Sequence, residues 1–199
     1  MKLLAFVDLH SDFNYLNKLI EKAKEKKPDF LVCAGGISDF GVNIEKMFKE
    51  LEKLDIPMLI VPGNHESDAG INKLCKEYKF AININNGCYE INEYCFFGYG
   101  EGGFSAEDSY FEKIAEKFKE SIKENKKIIL VSHAPVYGKK VDYVSQLGHR
   151  GNKSLRRFVI EVKPKLVICG HLHETATAID KIGQTVIINP GKIGKIVLI

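Results

Sequence analysis

The sequence predicts an α/β protein arranged as a four-layer α-β-β-α sandwich, two mostly mixed β-sheets face to face with helices outside. Three observations lead there. From residue 2 to residue 66, apolar runs of strand length alternate with segments of helical spacing, the pattern of parallel strands joined by crossover helices. The middle turns to short β-rich runs broken by Asn-Asn-Gly and Asn-Glu, which marks antiparallel strands. Polar residues able to do chemistry gather just past the ends of the apolar runs, the edge at which open α/β sheets bind ligands.

Taken in order, "KLLAFVDLH" (residues 2–10) reads as a strand ending in polar residues, and "FNYLNKLIEKAKEKK" (13–27) as a helix with one apolar and one charged face. "PDFLVCAGG" (28–36) is a second strand, "NIEKMFKELEKLD" (43–55) a helix with Asn43 as its N-cap, and "IPMLIVPGNHE" (56–66) a third strand. "KFAININNGCYEINEYCFFGYGEGG" (79–103) reads as antiparallel strands and a glycine-rich loop. Then come a helix in "SYFEKIAEKFKESIKENKK" (109–127), a strand in "IILVSHAP" (128–135), a helix in "NKSLRRFVIEVK" (152–163) and a strand in "KLVICGHLHE" (165–174). The remaining residues suggest further short strands. No linker, repeat or low-complexity tract divides the chain, so residues 1–199 are expected to form one domain.

Composition narrows the function. With 29 basic and 26 acidic residues the net charge is +3, too balanced to point to nucleic acid, which is a less favoured partner. Basic clusters such as "KENKK" and "KSLRR" read as solvated surface. No apolar run could span a bilayer, and the start meets Asp8 and His10 too soon for a signal peptide. The five cysteines contain no C-x-x-C pair and read as thiols of a reducing cytoplasm.

The chemistry-bearing residues are Asp8 and His10 after "LLAFV", Asn64, His65 and Glu66 after "MLIVPG", His133 after "IILVS", and His171 and His173 after "KLVIC". Five of the six histidines lie at such ends; only His149 does not. Imidazole, amide oxygen and carboxylate together suit borderline divalent metals: Mn, Fe, Co, Ni or Zn. On extended backbone the D-x-H and H-x-H spacings would point both side chains of each pair to one face.

The series D-x-H, G-N-H-E, S-H-A-P and G-H-L-H, from Asp8 to the "NPG" at Asn189, resembles the calcineurin-like metallophosphoesterase superfamily, and most of all its small, cap-less bacterial and archaeal members. "FFGYGEGG" and "GHRGNKSLRRF" agree with it. The resemblance implies two metal positions at the C-terminal ends of the strands. Asp8, His10 and His173 would form the first, and Asn64, His133 and His171 the second, with manganese the preferred ion. His65 would not bind metal but would face the substrate phosphoryl group and stabilise or protonate the leaving oxygen. A hydroxide generated between two dications would then attack phosphorus.

One position departs from the family pattern. Where it has G-D-x-x-D, this chain has Gly35-Gly36-Ile37-Ser38-Asp39, so a bridging aspartate is replaced by Gly36. Two dications about 4 Å apart repel by roughly 4 kcal/mol in water, and about four times that at an effective dielectric near 20. Without the bridge, the first metal is expected to persist and the second to be weak. Asp39 is expected to serve turn geometry or an orienting hydrogen bond. The preferred function is hydrolysis of small phosphodiesters, extending to phosphomonoesters; the alternative is a degenerate relative that binds a partner without catalysis. His149 reads as a solvated loop residue, and Tyr99 and Glu101 as candidates for the mouth of the site.

Overall fold

The computed structural model describes residues 1–100, 105–122 and 125–199; Glu101 lies outside them. In chain order the elements are β1 (Lys2–Phe6), α1 (Phe13–Lys26), β2 (Phe30–Cys33), α2 (Ile44–Glu52), β3 (Met58–Ile60), α3 (Asp68–Glu77), β4 (Ala81–Asn83), β5 (Gly87–Ile91) and β6 (Tyr94–Tyr99). Next are α4 (Ser109–Ser121), β7 (Lys127–Ser132), a small hairpin of β8 (Tyr143–Val144) and β9 (Gly148–His149), α5 (Lys153–Val162) and β10 (Leu166–Ile168). β11 (Ile179–Ile182), β12 (Thr185–Ile188) and β13 (Lys195–Leu198) follow.

The strands form two mixed sheets. The first runs β13-β1-β2-β3-β4, parallel except where β13 pairs antiparallel with β1, Leu3 opposite Val197. The second runs β11-β12-β10-β7-β6-β5, with a parallel centre and antiparallel edges at β11 and β5. Alternation along each strand sorts the core into layers. Leu4 and Phe6 face outward onto Leu16, Leu19, Phe48 and Leu51 of α1 and α2. Leu3, Ala5 and Val7 face inward and meet Phe96, Ile129, Val131 and Ile168 of the second sheet. On its outer side, Phe97, Leu130 and Val167 pack on Phe111, Phe118 and Phe158 of α4 and α5. These are the four expected layers.

Three local expectations are corrected. β4 is not antiparallel: it adds to the first sheet in parallel, Leu59 opposite Ile82. It is delivered there by α3, a helix with only Ile71 and Leu74 buried and so too faint a pattern to read from spacing. The helix expected over 109–127 ends at Ser121. Asn43 stands at the start of α2 but in a left-handed conformation (φ 55) with no side-chain capping bond. Asp12 does cap α1, its carboxylate accepting from the amides of Asn14 and Tyr15.

Candidate metal centre

The residues singled out at strand ends converge across the seam between the two sheets. They do so on sharply turned backbone, not on extended segments. Asp8, His10 and His171 all have positive φ (58, 48 and 70), and His173 opens a single 3-10 turn over His173–Thr175. Non-glycine residues at positive φ are uncommon and cluster at functional sites. The turn through Asp8 and His10 is held from the loop after β2: the amides of Asp8, His10 and Ser11 donate to the carbonyl oxygens of Gly35, Gly36 and Ile37.

Asp8 is 3% exposed. Its Oδ2 accepts the His171 amide at 3.0 Å, while Oδ1 is buried with no hydrogen-bond donor. Two imidazoles face that bare oxygen: His10 Nε2 at 3.6 Å and His173 Nε2 at 3.9 Å. The two Nε2 atoms lie 3.0 Å from each other. Burial pushes the Asp8 carboxyl up, but its polar contact with His10 and the nearby His133 and His173 rings outweigh this and hold it below the usual range. His10 is raised in turn, chiefly by Asp8. A carboxylate oxygen and two imidazole nitrogens with their ligand atoms within 4.8 Å of one another make an N₂O set that fits a borderline divalent cation.

The second trio is also assembled. His133 is fully buried, and desolvation lowers its pKa, so the ring is neutral. Its Nδ1–H donates to the Ala34 carbonyl oxygen at 2.9 Å, which leaves Nε2 a bare acceptor. Nε2 faces Asn64 Oδ1 at 2.9 Å, acceptor against acceptor, an arrangement that a shared cation satisfies. The His171 ring sits edge-on to His133 with centroids 5.1 Å apart. Burial, then the neighbouring His133, pushes His171 down to about 4, so it too is neutral near pH 7.

His65 belongs to neither trio but packs beside the first, its ring centre 4.8 Å from that of His10. Its Nδ1 donates to Asp39 Oδ1 at 3.0 Å, which gives Asp39 the orienting role expected of it. His10, Asp39 and His65 also bring their ligand atoms within 4.8 Å of one another, but the Asp39–His65 contact is already of hydrogen-bond length. The opposite face of the site is shaped by Phe40, which sequence reasoning missed. It is 75% exposed, adopts φ 48, and stacks on the His65 ring at 4.1 Å. Nothing in apolar periodicity marks such a residue, because it packs against the site and not against the core.

Glu66, singled out in the sequence without a role, acquires one here. Its Oε1 accepts from the Ser38 amide at 2.8 Å and the Ser38 hydroxyl at 2.9 Å, and its Oε2 from the amides of Gly63 at 2.7 Å and Gly36 at 3.1 Å. One carboxylate thereby ties the loop after β2 to the loop after β3. The loops are so close that a Cβ on Gly63 would fall 2.4 Å from the Gly36 nitrogen. Gly36 has φ +64, and a Cβ there would fall 2.5 Å from Asp8 Oδ1. The missing side chain would therefore point at the first trio, into space the Asp8 carboxylate fills.

The remaining candidates lie differently. Tyr99 is 4% exposed; its hydroxyl donates to Asp108 at 2.6 Å and its ring packs on Phe111, so it belongs to the outer core and not to the mouth of the site. His149 is not simply solvated: its Nδ1 donates to the fully buried Asp142 carboxylate at 2.8 Å.

Comparison with known proteins bears on the family and the fold. Residues 1–175 match the family described as calcineurin-like phosphoesterase. The chain is 35% identical over 201 aligned positions to an uncharacterized protein of Methanocaldococcus jannaschii, covering 96% of this chain and 88% of that one. It is 28% identical to a probable glycerophosphodiester phosphodiesterase of Arcobacter nitrofigilis, over 87% of this chain and 66% of that protein. Among solved structures, a protein of Thermus thermophilus superposes with a TM-score of 0.75 at 15% identity, over 96% of this chain and 89% of that one.

Proposed function

The chain belongs to the calcineurin-like phosphoesterase family, and we propose that it is a metal-dependent hydrolase of small phosphodiesters, extending to phosphomonoesters, with Asp8, His10 and His173 as the first metal position and Asn64, His133 and His171 as the second. The observation that carries this reading is the buried, donorless Asp8 Oδ1 faced by two imidazole nitrogens. The match to a probable glycerophosphodiester phosphodiesterase supports the diester preference.

Bound divalent ions supply Lewis acidity and a water acidic enough to attack phosphorus near neutral pH. The chain's own groups do the rest. The neutral His133 and His171 rings present lone pairs without first losing a proton. His65, fixed by Asp39 on one side and Phe40 on the other, is held to donate a proton to the leaving oxygen. Such positioned acids contribute about 10²- to 10⁴-fold.

The first position carries the only carboxylate of the six proposed ligands, and no aspartate stands at residue 36. We therefore expect one ion to persist through dialysis and the second to need added metal. Manganese is the preferred ion. One domain over residues 1–199 and a cytoplasmic setting complete the reading; the five free cysteines support the latter.

The test is hydrolysis of bis(p-nitrophenyl) phosphate with manganese, set beside metal content after dialysis. Expected are manganese-dependent turnover, a His65→Gln rate lowered about 100-fold or more, and one retained ion per chain. No turnover at any manganese concentration would sink the catalytic reading and favour a binding protein. Two ions retained through dialysis would sink the uneven occupancy.

A further inference from the structure

A cavity of about 460 Å³ opens beside the first trio, with Asp8 and His173 at one end and Tyr15, Lys22, Lys192 and Asn189 around it. That volume suits a small organic group. Asp8, already committed to the metal position, is the one carboxylate in its lining. Lys22 Nζ donates to the Gly194 carbonyl oxygen at 2.8 Å and keeps further N–H groups to give. Lys192 Nζ lies 5.3 Å from the centre of the Tyr15 ring. Among the described residues no carboxylate forms an ion pair with either ammonium. Burial and the Lys195 and Lys26 charges pull Lys22 down, against a smaller upward pull from Glu25. A pocket with unneutralised ammonium groups favours an anion.

The order of the rings gives this pocket a direction. Phe40 stacks on His65, His65 lies 4.8 Å from His10, and His10 lies 4.9 Å from His173. The lysine cavity begins at His173. A phosphodiester with its leaving oxygen at His65 and its phosphorus near His10 can extend its other arm past His173 into the cavity of Lys192 and Lys22.

We propose that the cavity is the subsite for the retained arm of the substrate, and that this arm ends in a phosphate monoester held by Lys22 and Lys192; the assignment rests on the phosphoesterase reading above. The substrate class is thus a phosphodiester with a second phosphate a few carbon atoms away on the arm that is not released.

Two chromogenic diesters test it, p-nitrophenyl 3-phosphopropyl phosphate and p-nitrophenyl propyl phosphate, with the full manganese-supplied chain. The wild type should favour the phosphorylated diester in kcat/KM by about 10- to 100-fold, the scale of one or two hydrogen bonds to charged groups. Lys22→Met combined with Lys192→Met should bring the ratio to about one, and Lys192→Arg alone should retain it. Calorimetric binding of propane-1,3-diyl bisphosphate against propyl phosphate reads the cavity without turnover and should show the same lysine-dependent preference. If neither diester is hydrolysed but that binding preference holds, the subsite stands and the phosphoesterase reading falls. Equal turnover of both diesters, or a preference that survives in the double variant, overturns the subsite and leaves the phosphoesterase reading intact.

Discussion

Gly36 and Glu66 show how closely individual atoms are fitted around the ligand trios. Restoring a carboxylate by Gly36→Asp places a side chain at φ +64 and a Cβ 2.5 Å from Asp8 Oδ1, so the Asp8 side chain must rotate to admit it. The variant should lose about 1–2 kcal/mol in metal-free solution, read by urea unfolding with chelator present. It should also hold a second ion through dialysis. Undiminished stability in chelator would mean that the loop has more room than the Asp8 contact allows. Glu66→Ala removes the acceptor for three amides and a hydroxyl; about 3 kcal/mol should be lost, the scale of two hydrogen bonds to a charged group, with turnover falling too. At this scale the proposed ligands were legible in the sequence, because each sits one to four residues past an apolar run. It did not disclose Phe40, Lys22 or Lys192, whose partners are distant in the chain and have no signature of period or spacing.

At the scale of elements, turns held by single carboxylates matter most. The segment from Gly138 to Gly151 folds around Asp142, whose oxygens accept the amides of Gly138, Lys139 and Gly151 and the His149 ring N–H. Its neighbour Val141 gives its carbonyl oxygen to the Thr175 hydroxyl, so the segment braces the turn that begins at His173. Asp142→Ala should cost about 3–5 kcal/mol in denaturant unfolding and weaken metal retention through His173; a loss below about 1 kcal/mol would refute the bracing role. Asp12→Ala, which removes only the α1 cap, should cost about 1 kcal/mol with metal retention unchanged. Strongly amphipathic helices and central strands were legible here because burial imposes their periods. α3 and β4 were not: a short helix with two buried apolar residues and a three-residue strand leave too little pattern, and which sheet a short strand joins is decided by tertiary contacts.

For the whole molecule, the four layers hide most of its thiols. Cys33, Cys95 and Cys169 are buried and Cys88 is exposed. Burial raises Cys33 and pushes Cys169 to about 12 and Cys75 to about 11; burial, then the neighbouring Cys88, pushes Cys95 to about 12. At pH 8 a thiol with pKa 12 is only about one part in ten thousand thiolate. Iodoacetamide at pH 8 should therefore modify Cys88 alone quickly in the native chain and all five cysteines in urea, as mass spectrometry would count; rapid native modification of Cys169 would contradict the packing of the outer core. The convergence of the two sheets was legible only in outline, since spacing orders the strands but does not say which loops meet. The loops after β1 and β3 bring Asp8, His10 and Asn64, and those after β7 and β10 bring His133, His171 and His173. On the ribosome, then, the first half of the chain emerges with at most two ligands of one trio and one of the other. With the proposed ligands, an ion would be captured tightly only once His173 has been synthesised and the second sheet has closed on the first, so metal uptake would be a late event in maturation and an indicator that assembly is complete.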